Sequence, residues 1–416
     1  ISNTSSEKIA GITGDMTNME SLFAIKEFFE KTIKSKNLDS RSENFYVNSS
    51  NRSNYIFNSK ITGIEESDLI ILIGTNPRYE ATILNSRIRK AYLNNNTDIF
   101  SIGNVGDLTY PYTEFENSTK IINEIVNDEH KLSDLIKQSQ KPIIVLGQSL
   151  LKMKSAPYLF EELKKYLLVN KKINNDWNAL NILSNNASTV GSYDLELFSS
   201  KNGENETLKK IKKNEFDVIF LFGQENLKFK KKNEFIIYIG SHGDRGAEIA
   251  DIILPSAAYT EQEGYFTNLE GKMQKAYNAS YPPGEAKEDW QIINELAASL
   301  KRKNLFTNKE ELVNSMINFL NMNKDKNFEV PNYEFINNRK LFNDKNELES
   351  SMFNYLNLQK EKQVNDINNS TNEFQNETLT IKVKDYYFSN VIARSSKTMV
   401  ECNNSKLNLK STGTEG

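Results

Sequence analysis

The sequence predicts a doubly wound α/β protein with two parallel sheets and a helical, irregular C-terminal extension. Two observations predict this class. Short apolar runs that end in Gly or Pro recur as far as Pro255, and stretches of helical period lie between them. Such runs are typical of parallel strands buried on both faces. Their alternation with helices implies right-handed βαβ units, which build doubly wound sheets.

The individual elements follow from these two patterns. The predicted strands lie within Asp68–Pro77, Asp98–Gly103, Pro142–Gly147, Asp217–Gly223, Phe235–Gly240 and Ala250–Pro255. The predicted helices, in which apolar residues recur every three or four positions, lie within Ser21–Thr32, Ala81–Leu93, Ser118–Val126 and Leu159–Val169. A further helix is expected from Asp289 through Leu300, after the turn Pro282–Gly284.

The strand runs form two groups along the chain, which predicts three regions. Residues 1–138 are expected to form a first Rossmann-like sub-domain, and residues 139–300 a second one. Residues 301–416 are expected to form a helical, Asn- and Lys-rich extension that ends in a flexible tail. Within this extension, Glu311–Leu320 has the clearest helical pattern.

Charge and hydropathy exclude some classes of partner. The 52 basic and 55 acidic residues nearly balance, so neither nucleic acid nor an anionic membrane surface is an expected partner. The basic run Lys228–Lys232 is best interpreted as a solvated loop. No apolar run approaches the length of about 18 residues that a transmembrane helix requires.

Cysteine and histidine counts argue against metal chemistry. The chain has one cysteine, Cys402, whereas a thiolate-ligated iron–sulfur cluster usually needs four. It has only two histidines, and no HExxH, CxxC or P-loop pattern occurs. His242 follows a predicted strand and is interpreted as a structural or interface residue, and His130 lies in a charged loop. The sequence therefore predicts no catalytic residues and no metal site.

The turn Ile73–Pro77 ends one predicted strand, at the edge where α/β sheets bind ligands. Gly74 permits close approach of the backbone, Asn76 offers an amide, and Pro77 stiffens the turn. A tight turn without a ligand fits this pattern equally well. Three arginines follow, and they are interpreted as surface or subunit contacts rather than phosphate ligands: Arg78, Arg87 and Arg89.

The segment Gly243–Gln274 is the most specific part of the sequence. A strand ends at Pro255, the small residues Ser256–Ala258 follow, and a polar loop comes next. Polar groups so densely placed need partners wherever they are buried. A nucleotide, another domain, or the other groups of the loop would satisfy them, and the pattern alone leaves these alternatives open.

This segment resembles the molybdopterin oxidoreductase superfamily, which includes formate dehydrogenases and nitrate reductases. The residues that match its pattern are Ala250, Asp251, Leu254, Pro255, Glu261, Gly264, Asn268, Glu270, Gly271 and Gln274. The turn Ile73–Pro77 resembles the strand end that contacts the cofactor in that superfamily. The resemblance implies a fold of the formate dehydrogenase-like type.

Other stretches resemble more narrowly the 75 kDa-type iron–sulfur subunits of respiratory complex I, NADH:ubiquinone oxidoreductase. They are Arg52–Tyr55, Gly74–Arg78, Arg87–Lys90, Val105–Tyr110, Pro142–Gly147, Asp176–Leu183, Tyr259–Glu261, Pro282–Gly284, Glu288–Trp290 and Lys384–Arg394. The resemblance spans most of the chain apart from residues near 200–232 and 301–375.

The resemblance implies a cleft that has lost its cofactor. Catalytic members supply Cys, selenocysteine, Ser or Asp as the metal ligand, ahead of the strand that ends in Gly-x-Asn-Pro. The corresponding stretch Phe45–Tyr55 has no Cys or Asp, and its only candidate ligands are Ser49, Ser50 and Ser53. We therefore expect a vestigial cleft whose polar groups satisfy one another or nearby backbone. Its residues are Gly74, Asn76, Pro77, Thr260, Glu261, Asn268, Glu270 and Gln274.

The resemblance further implies a structural, non-catalytic domain in the peripheral arm of complex I that scaffolds the cluster-bearing region. No cofactor is expected in this chain, and the iron–sulfur clusters are expected on an N-terminal part or a separate polypeptide. The expected partners are other peripheral-arm subunits. The expected place is the matrix side of the mitochondrial inner membrane, or the cytoplasmic side of a bacterial one.

Two enzymatic alternatives make different predictions. A molybdopterin-dependent oxidoreductase such as a formate dehydrogenase would bind molybdenum or tungsten together with a pterin. An NAD-type dehydrogenase is disfavoured, because no GxGxxG with a downstream acidic residue appears.

Overall fold

Two five-stranded parallel sheets, sheet A and sheet B, organise the chain. The computed structural model describes residues 1–322 except 199, 202, 226 and 302, and residues 373–408 except 383 and 384. Sheet A has the strand order β12-β11-β10-β1-β2, and sheet B has the order β5-β4-β3-β6-β7. The predicted α/β class with parallel sheets is therefore confirmed.

The strands are short and mostly buried. Sheet A contains β1 (Ile9–Thr13), β2 (Leu38–Asp39), β10 (Val218–Phe222), β11 (Phe235–Gly240) and β12 (Ile252–Pro255). Sheet B contains β3 (Leu69–Ile73), β4 (Asp98–Ile102), β5 (Thr113–Phe115), β6 (Pro142–Leu146) and β7 (Leu180–Ile182). Two small hairpins pair β8 (Ser200–Lys201) with β9 (Glu204–Asn205), and β13 (Gly264–Thr267) with β14 (Met273–Ala276).

Helices connect and cover these strands. Those before residue 140 are α1 (Met19–Glu27), α2 (Pro77–Glu80), α3 (Thr82–Asn95), α4 (Lys120–Val126) and α5 (Lys131–Gln138). The next are α6 (Gln148–Leu151), α7 (Ala156–Val169), α8 (Thr189–Asp194), α9 (Glu206–Lys212) and α10 (Arg245–Ile249). The last described are α11 (Asp289–Lys301), α12 (Lys309–Met322), α13 (Val391–Ser395) and α14 (Lys397–Asn408). A π-helical turn, Phe28–Ile33, continues α1 over the end of the predicted helix Ser21–Thr32.

Strand β1 is an interior strand of sheet A that the sequence did not predict. It pairs in parallel with β10 on one side and β2 on the other, and all five of its residues are buried. Its sequence, IAGIT, contains a Gly and a Thr within five residues, so it lacks the continuous apolar run that marks the other buried strands.

The predicted boundaries between regions are wrong. The boundary between residues 138 and 139 places β3 and β6 in different sub-domains, yet the two strands are hydrogen-bonded neighbours in sheet B. Sheet A instead joins β1 to β10, so its segments flank sheet B in the chain. Strands pair through backbone groups, which are the same in every residue type. The apolar runs in the sequence therefore do not show which strands share a sheet.

The boundary at residue 300 also fails. Phe306, Leu312 and Met316 belong to the core that covers one face of sheet A, together with Trp290 of α11. The other face of sheet A is covered by a second core that includes residues of α9. Helix α12 is therefore part of sheet A's packing. The remainder of the predicted extension, residues 323–372, and the predicted tail after residue 408 lie outside the described residues.

Candidate functional site: the cleft at the carboxyl edges of the sheets

The carboxyl edges of the two sheets border one polar cavity of about 480 Å³. Ligands of open α/β proteins bind at such edges, so this cavity is the natural candidate site. Residues that follow β1 and β2 line it from sheet A, and residues that follow β6 and β7 line it from sheet B. They include Asp15, Ser40, Arg41, Gln148, Asn186 and Thr189.

At the end of β3, the predicted site residues are engaged within the protein. The side chain of Asn76 accepts a hydrogen bond from the Arg78 N–H at 3.0 Å and donates one to the Val105 carbonyl at 2.6 Å. Its amide therefore caps α2, in which Pro77 is the first residue. The Asn76 N–H donates to Glu80 Oε2 at 2.6 Å. These bonds hold the turn and the first residues of α2 together within the protein.

After β12, Thr260 and Glu261 build a turn. The Glu261 carboxylate accepts from the Ala258 N–H at 2.9 Å, while the Glu261 N–H donates to the Ala258 carbonyl at 2.8 Å. The Thr260 carbonyl accepts from the backbone of Ala279 at 2.8 Å. These bonds fold the loop after the signature strand onto itself.

Asn268 and Glu270 lie in the loop of the hairpin β13–β14. The Asn268 side chain accepts from the Lys272 N–H at 2.8 Å, which closes the loop. The buried Glu270 carboxylate accepts from the Ile61 N–H at 3.0 Å and pairs with Lys272 at 2.8 Å. Burial acts to raise the pKa of Glu270, but these hydrogen bonds outweigh it and hold the pKa below its ordinary value. Glu270 thus joins the hairpin to the segment that leads into sheet B.

Arg52 makes the strongest connection between that segment and the hairpin. Its guanidinium forms a fork with Asp194, at 2.8 Å and 2.7 Å, and donates to the Gly271 carbonyl at 2.7 Å. The Arg52 and Asp194 side chains are only 2% and 4% exposed. Gly271 has φ +85, and a Cβ atom there would lie 2.7 Å from Arg52 Nη1. The signature glycine therefore makes room for this arginine.

Gln274 differs from the other signature residues. It lies on β14 opposite Phe266, and its side chain is exposed to solvent, so its amide needs no partner within the protein. The structure thus gives intramolecular contacts to Thr260, Glu261, Asn268 and Glu270, but leaves Gln274 outside this set.

A buried polar network that the sequence did not predict lies beneath the same loop. Gln262 accepts from Asn18 at 3.3 Å and donates to the Ala257 carbonyl at 3.1 Å. Glu20, on the neighbouring helix α1, accepts from the Tyr265 N–H at 2.8 Å. Burial raises the pKa of Glu20 to about 7, and it raises the pKa of Asp289, which contacts Gln262, to about 6. Buried acids could not be recognised from a sequence in which acidic residues are common.

The described residues of 376–399, which leave out 383 and 384, are here called the C-terminal strap, and they contact the carboxyl edges of both sheets. On sheet B, the Leu379 N–H donates to the Asn117 carbonyl at 2.9 Å, and the Lys382 N–H donates to Ser149 Oγ at 3.0 Å. Glu377 accepts from the Ser155 hydroxyl at 2.7 Å. Several strap residues then line the polar cavity, among them Phe388 and Ser389.

On sheet A, Arg394 anchors the strap. Its Nε donates to Asp244 at 2.8 Å and its Nη2 donates to Glu225 at 2.9 Å. Asp244 follows β11 and Glu225 follows β10, so both acids lie at the carboxyl edge. Burial raises the pKa of Glu225 to about 8 although the neighbouring Arg394 acts to lower it.

The remaining residues considered as functional candidates have local roles. Arg78 pairs with Asp107, and Arg87 pairs with Glu65, so both form ion pairs within the chain. His130 caps α5 by accepting from the Leu132 N–H at 3.2 Å. His242 lies 2.9 Å from the Ser241 hydroxyl through Nδ1. Arg89 is exposed on α3.

Residues 1–299 match the molybdopterin oxidoreductase family. The chain belongs to this family. Residues 347–402 match a second family, described as the C-terminal part of the G-type subunit of NADH-ubiquinone oxidoreductase. This second match covers the whole range of the C-terminal strap.

Two of the similar proteins are named as subunits of NADH oxidoreductases. The NADH-ubiquinone oxidoreductase 75 kDa subunit of Reclinomonas americana is 36% identical over 321 residues, which are 74% of this chain and 46% of that protein. The G-type subunit of NADH-quinone oxidoreductase from Rickettsia bellii is 34% identical over 412 residues, which are 98% of this chain and 54% of that protein. The chain thus spans about half the length of these relatives. The predicted resemblance is confirmed.

A solved structure shares the fold. A chain of the formyltransferase/hydrolase complex of Methylorubrum extorquens superposes with a TM-score of 0.50 and 12% identity, covering 72% of this chain and 93% of that chain. At this identity the likeness concerns the fold alone. In the described part of the chain, no helix is both long and apolar enough to span a bilayer.

The residues of the cleft do not fit the cofactor that the family name implies. Ser50 donates to Asn48 at 2.7 Å and Ser53 donates to Asn51 at 2.9 Å, so these hydroxyls stabilise their own loop. A Cβ atom at Gly74 would lie 2.8 Å from the backbone nitrogen of Leu150 and 3.2 Å from Leu379 Cδ1, so the chain itself packs closely against this turn. Across the described ranges, no three His, Cys, Asp or Glu side chains lie close enough to hold a metal ion.

Proposed function

We propose that this chain is a structural, non-catalytic domain of the peripheral arm of a complex I, an NADH:quinone oxidoreductase. The observation that carries the proposal is that residues of the family signature are bound by other parts of the same chain. Asn268, Glu270 and Gly271 bind the protein's own loops and Arg52, so these signature groups have partners without a cofactor. Relatives named as subunits of NADH-quinone and NADH-ubiquinone oxidoreductases support the assignment to complex I.

In this role the chain carries no redox group. Its single cysteine cannot supply the thiolates of an iron–sulfur cluster, so the clusters belong to another part of the subunit or to a separate polypeptide. The chain packs against that cluster-bearing part and against other peripheral-arm subunits. Its place is the matrix side of a mitochondrial inner membrane, an assignment favoured over a bacterial membrane by the Asn- and Lys-rich composition.

The assembly role is tested by depletion of the chain in its own organism. We expect the peripheral arm to be lost or incomplete on native gels, with NADH:quinone activity lost in proportion. Re-expression of the natural sequence is the control and must restore both. A fully assembled, active complex in the absence of the chain would refute the scaffold role.

The absence of redox chemistry is tested separately by elemental analysis of the purified chain. We expect molybdenum, tungsten and iron each well below one atom per chain. Stoichiometric molybdenum or tungsten together with an extractable pterin would instead establish the alternative, a molybdopterin-dependent oxidoreductase such as a formate dehydrogenase.

A further inference from the structure

We propose that the C-terminal strap occupies the cleft in place of a ligand. The same chain then supplies both the carboxyl edges of the sheets and the segment that lies across them. In an open α/β fold, a bound molecule crosses the carboxyl ends of the strands and approaches glycines closely. The strap likewise contacts the carboxyl ends of the strands and approaches glycines closely. This inference concerns the chain itself and goes beyond its proposed place in complex I.

On sheet B, the strap side chains take the positions next to the edge glycines. Leu379 packs on Gly74 after β3, and Ile381 packs on Gly103 after β4, where a Cβ atom would lie 3.1 Å from Ile381 Cδ1. Leu379 is only 1% exposed. Because Gly74 has no Cβ atom, both Leu150 of α6 and Leu379 of the strap approach it closely, and Ile381 approaches Gly103 in the same way.

On sheet A, the strap binds through charge. Asp15, Glu225 and Asp244 follow β1, β10 and β11, and both Asp15 and Asp244 act on Glu225 electrostatically. A guanidinium is attracted to acidic groups placed in this way. Arg394 supplies that guanidinium and reaches two of the three acids.

The strap also separates two cavities. Asp385 and Ser389 line both the polar cavity of about 480 Å³ and a second cavity of about 670 Å³ beside α2 and α3. Movement of the strap away from sheet A would therefore open the polar cavity toward solvent. Arg394 is the residue whose removal should allow that movement, because it is the strap's ionic anchor on sheet A.

The test measures the accessibility of the cleft in the full chain. Gln148 lines the cavity and is 7% exposed, so Gln148→Cys places a buried thiol there. The change is made with Cys402→Ser, which removes the natural thiol. We expect slow labelling by a thiol reagent in this parent. In Arg394→Gln we expect labelling that is faster by about tenfold or more, as for a local opening that has lost its charged anchor.

Two further variants give the test its controls. Arg245→Gln removes an exposed arginine next to Asp244 and should leave the labelling rate unchanged. Arg394→Lys keeps the charge but loses the paired donors, so its rate should lie between those of the parent and Arg394→Gln.

Hydrogen exchange distinguishes release of the strap from unfolding. We expect faster exchange in residues 385–399 of Arg394→Gln, with β10 and β11 as protected as in the parent. Equal labelling rates in the parent and Arg394→Gln would overturn the proposal. Loss of protection in β10 and β11 would also overturn it, because Arg394 would then support sheet A rather than hold a strap.

Discussion

Removal of the Arg52 guanidinium is the perturbation with the largest expected effect on the fold. Arg52→Met keeps an unbranched apolar stem but deletes both hydrogen bonds to Asp194 and the bond to the Gly271 carbonyl. Asp194 then stays buried, 4% exposed, with the Tyr55 hydroxyl at 3.0 Å as a remaining donor. The variant therefore leaves a buried carboxylate at the end of α8 that has lost its cationic partner.

The magnitude follows from this burial. Breaking a buried ion pair by removing one partner costs about 3–5 kcal/mol, because the other charge stays desolvated. Arg78→Met is the matched control, since Arg78 and Asp107 are 35% and 42% exposed. An exposed pair of that kind contributes about 0–1 kcal/mol. The double variant Arg52→Met with Asp194→Asn should recover part of the loss, since it removes the stranded charge.

The assay is urea-induced unfolding of the full chain, followed by far-UV circular dichroism and by fluorescence. The two tryptophans, Trp177 beside sheet B and Trp290 on α11, report on both sheets. Coincident transitions from the two probes would justify a single free energy of unfolding. If Arg52→Met costs no more than Arg78→Met, the buried contacts of Arg52 with Asp194 and with the Gly271 carbonyl do not stabilise the fold, and our account of the signature fails.

Three further predictions concern stability. The pKa of Glu20 is raised to about 7 by burial, so the folded state retains a proton that the unfolded chain loses above pH 4.5. Stability should therefore fall as the pH rises from about 4.5 to about 7, and Glu20→Gln should gain up to about 3 kcal/mol over the natural chain at pH 8, but little at pH 4.5. A difference that does not change with pH would contradict this account. Gly271→Ala should destabilise by about 1–3 kcal/mol in the same urea assay, because it combines a strained positive φ with a clash against Arg52. Gly243→Ala, at an open position, should cost far less, and equal effects would count against the close approach of Arg52. Asn76→Ala should cost about 1–3 kcal/mol through the lost cap of α2 and the lost bond to Val105. An unchanged urea midpoint would show that neither bond stabilises the fold.

The sequence by itself determined the strands and the family. Continuous apolar runs such as Leu69–Ile73 and Val218–Phe222 can be recognised because a parallel strand covered on both faces must be apolar throughout. Helices α7 and α11 were equally recognisable from their periodic apolar faces. The family signature identified the superfamily because its residue types and spacings are specific. This match does not depend on which groups the signature residues contact in the fold.

Only the tertiary structure decided how these elements are used. Strands β1 and β10 lie about 200 residues apart and pair through backbone groups, which carry no sequence signal. The partners of Glu270 and Gly271 are likewise about 200 residues away, at Ile61 and Arg52. A sequence shows which polar groups need partners, but the partners themselves are chosen by proximity in space. For the same reason, a cleft that the sequence could only predict to be vestigial proved to be crossed by the chain's own C-terminal strap.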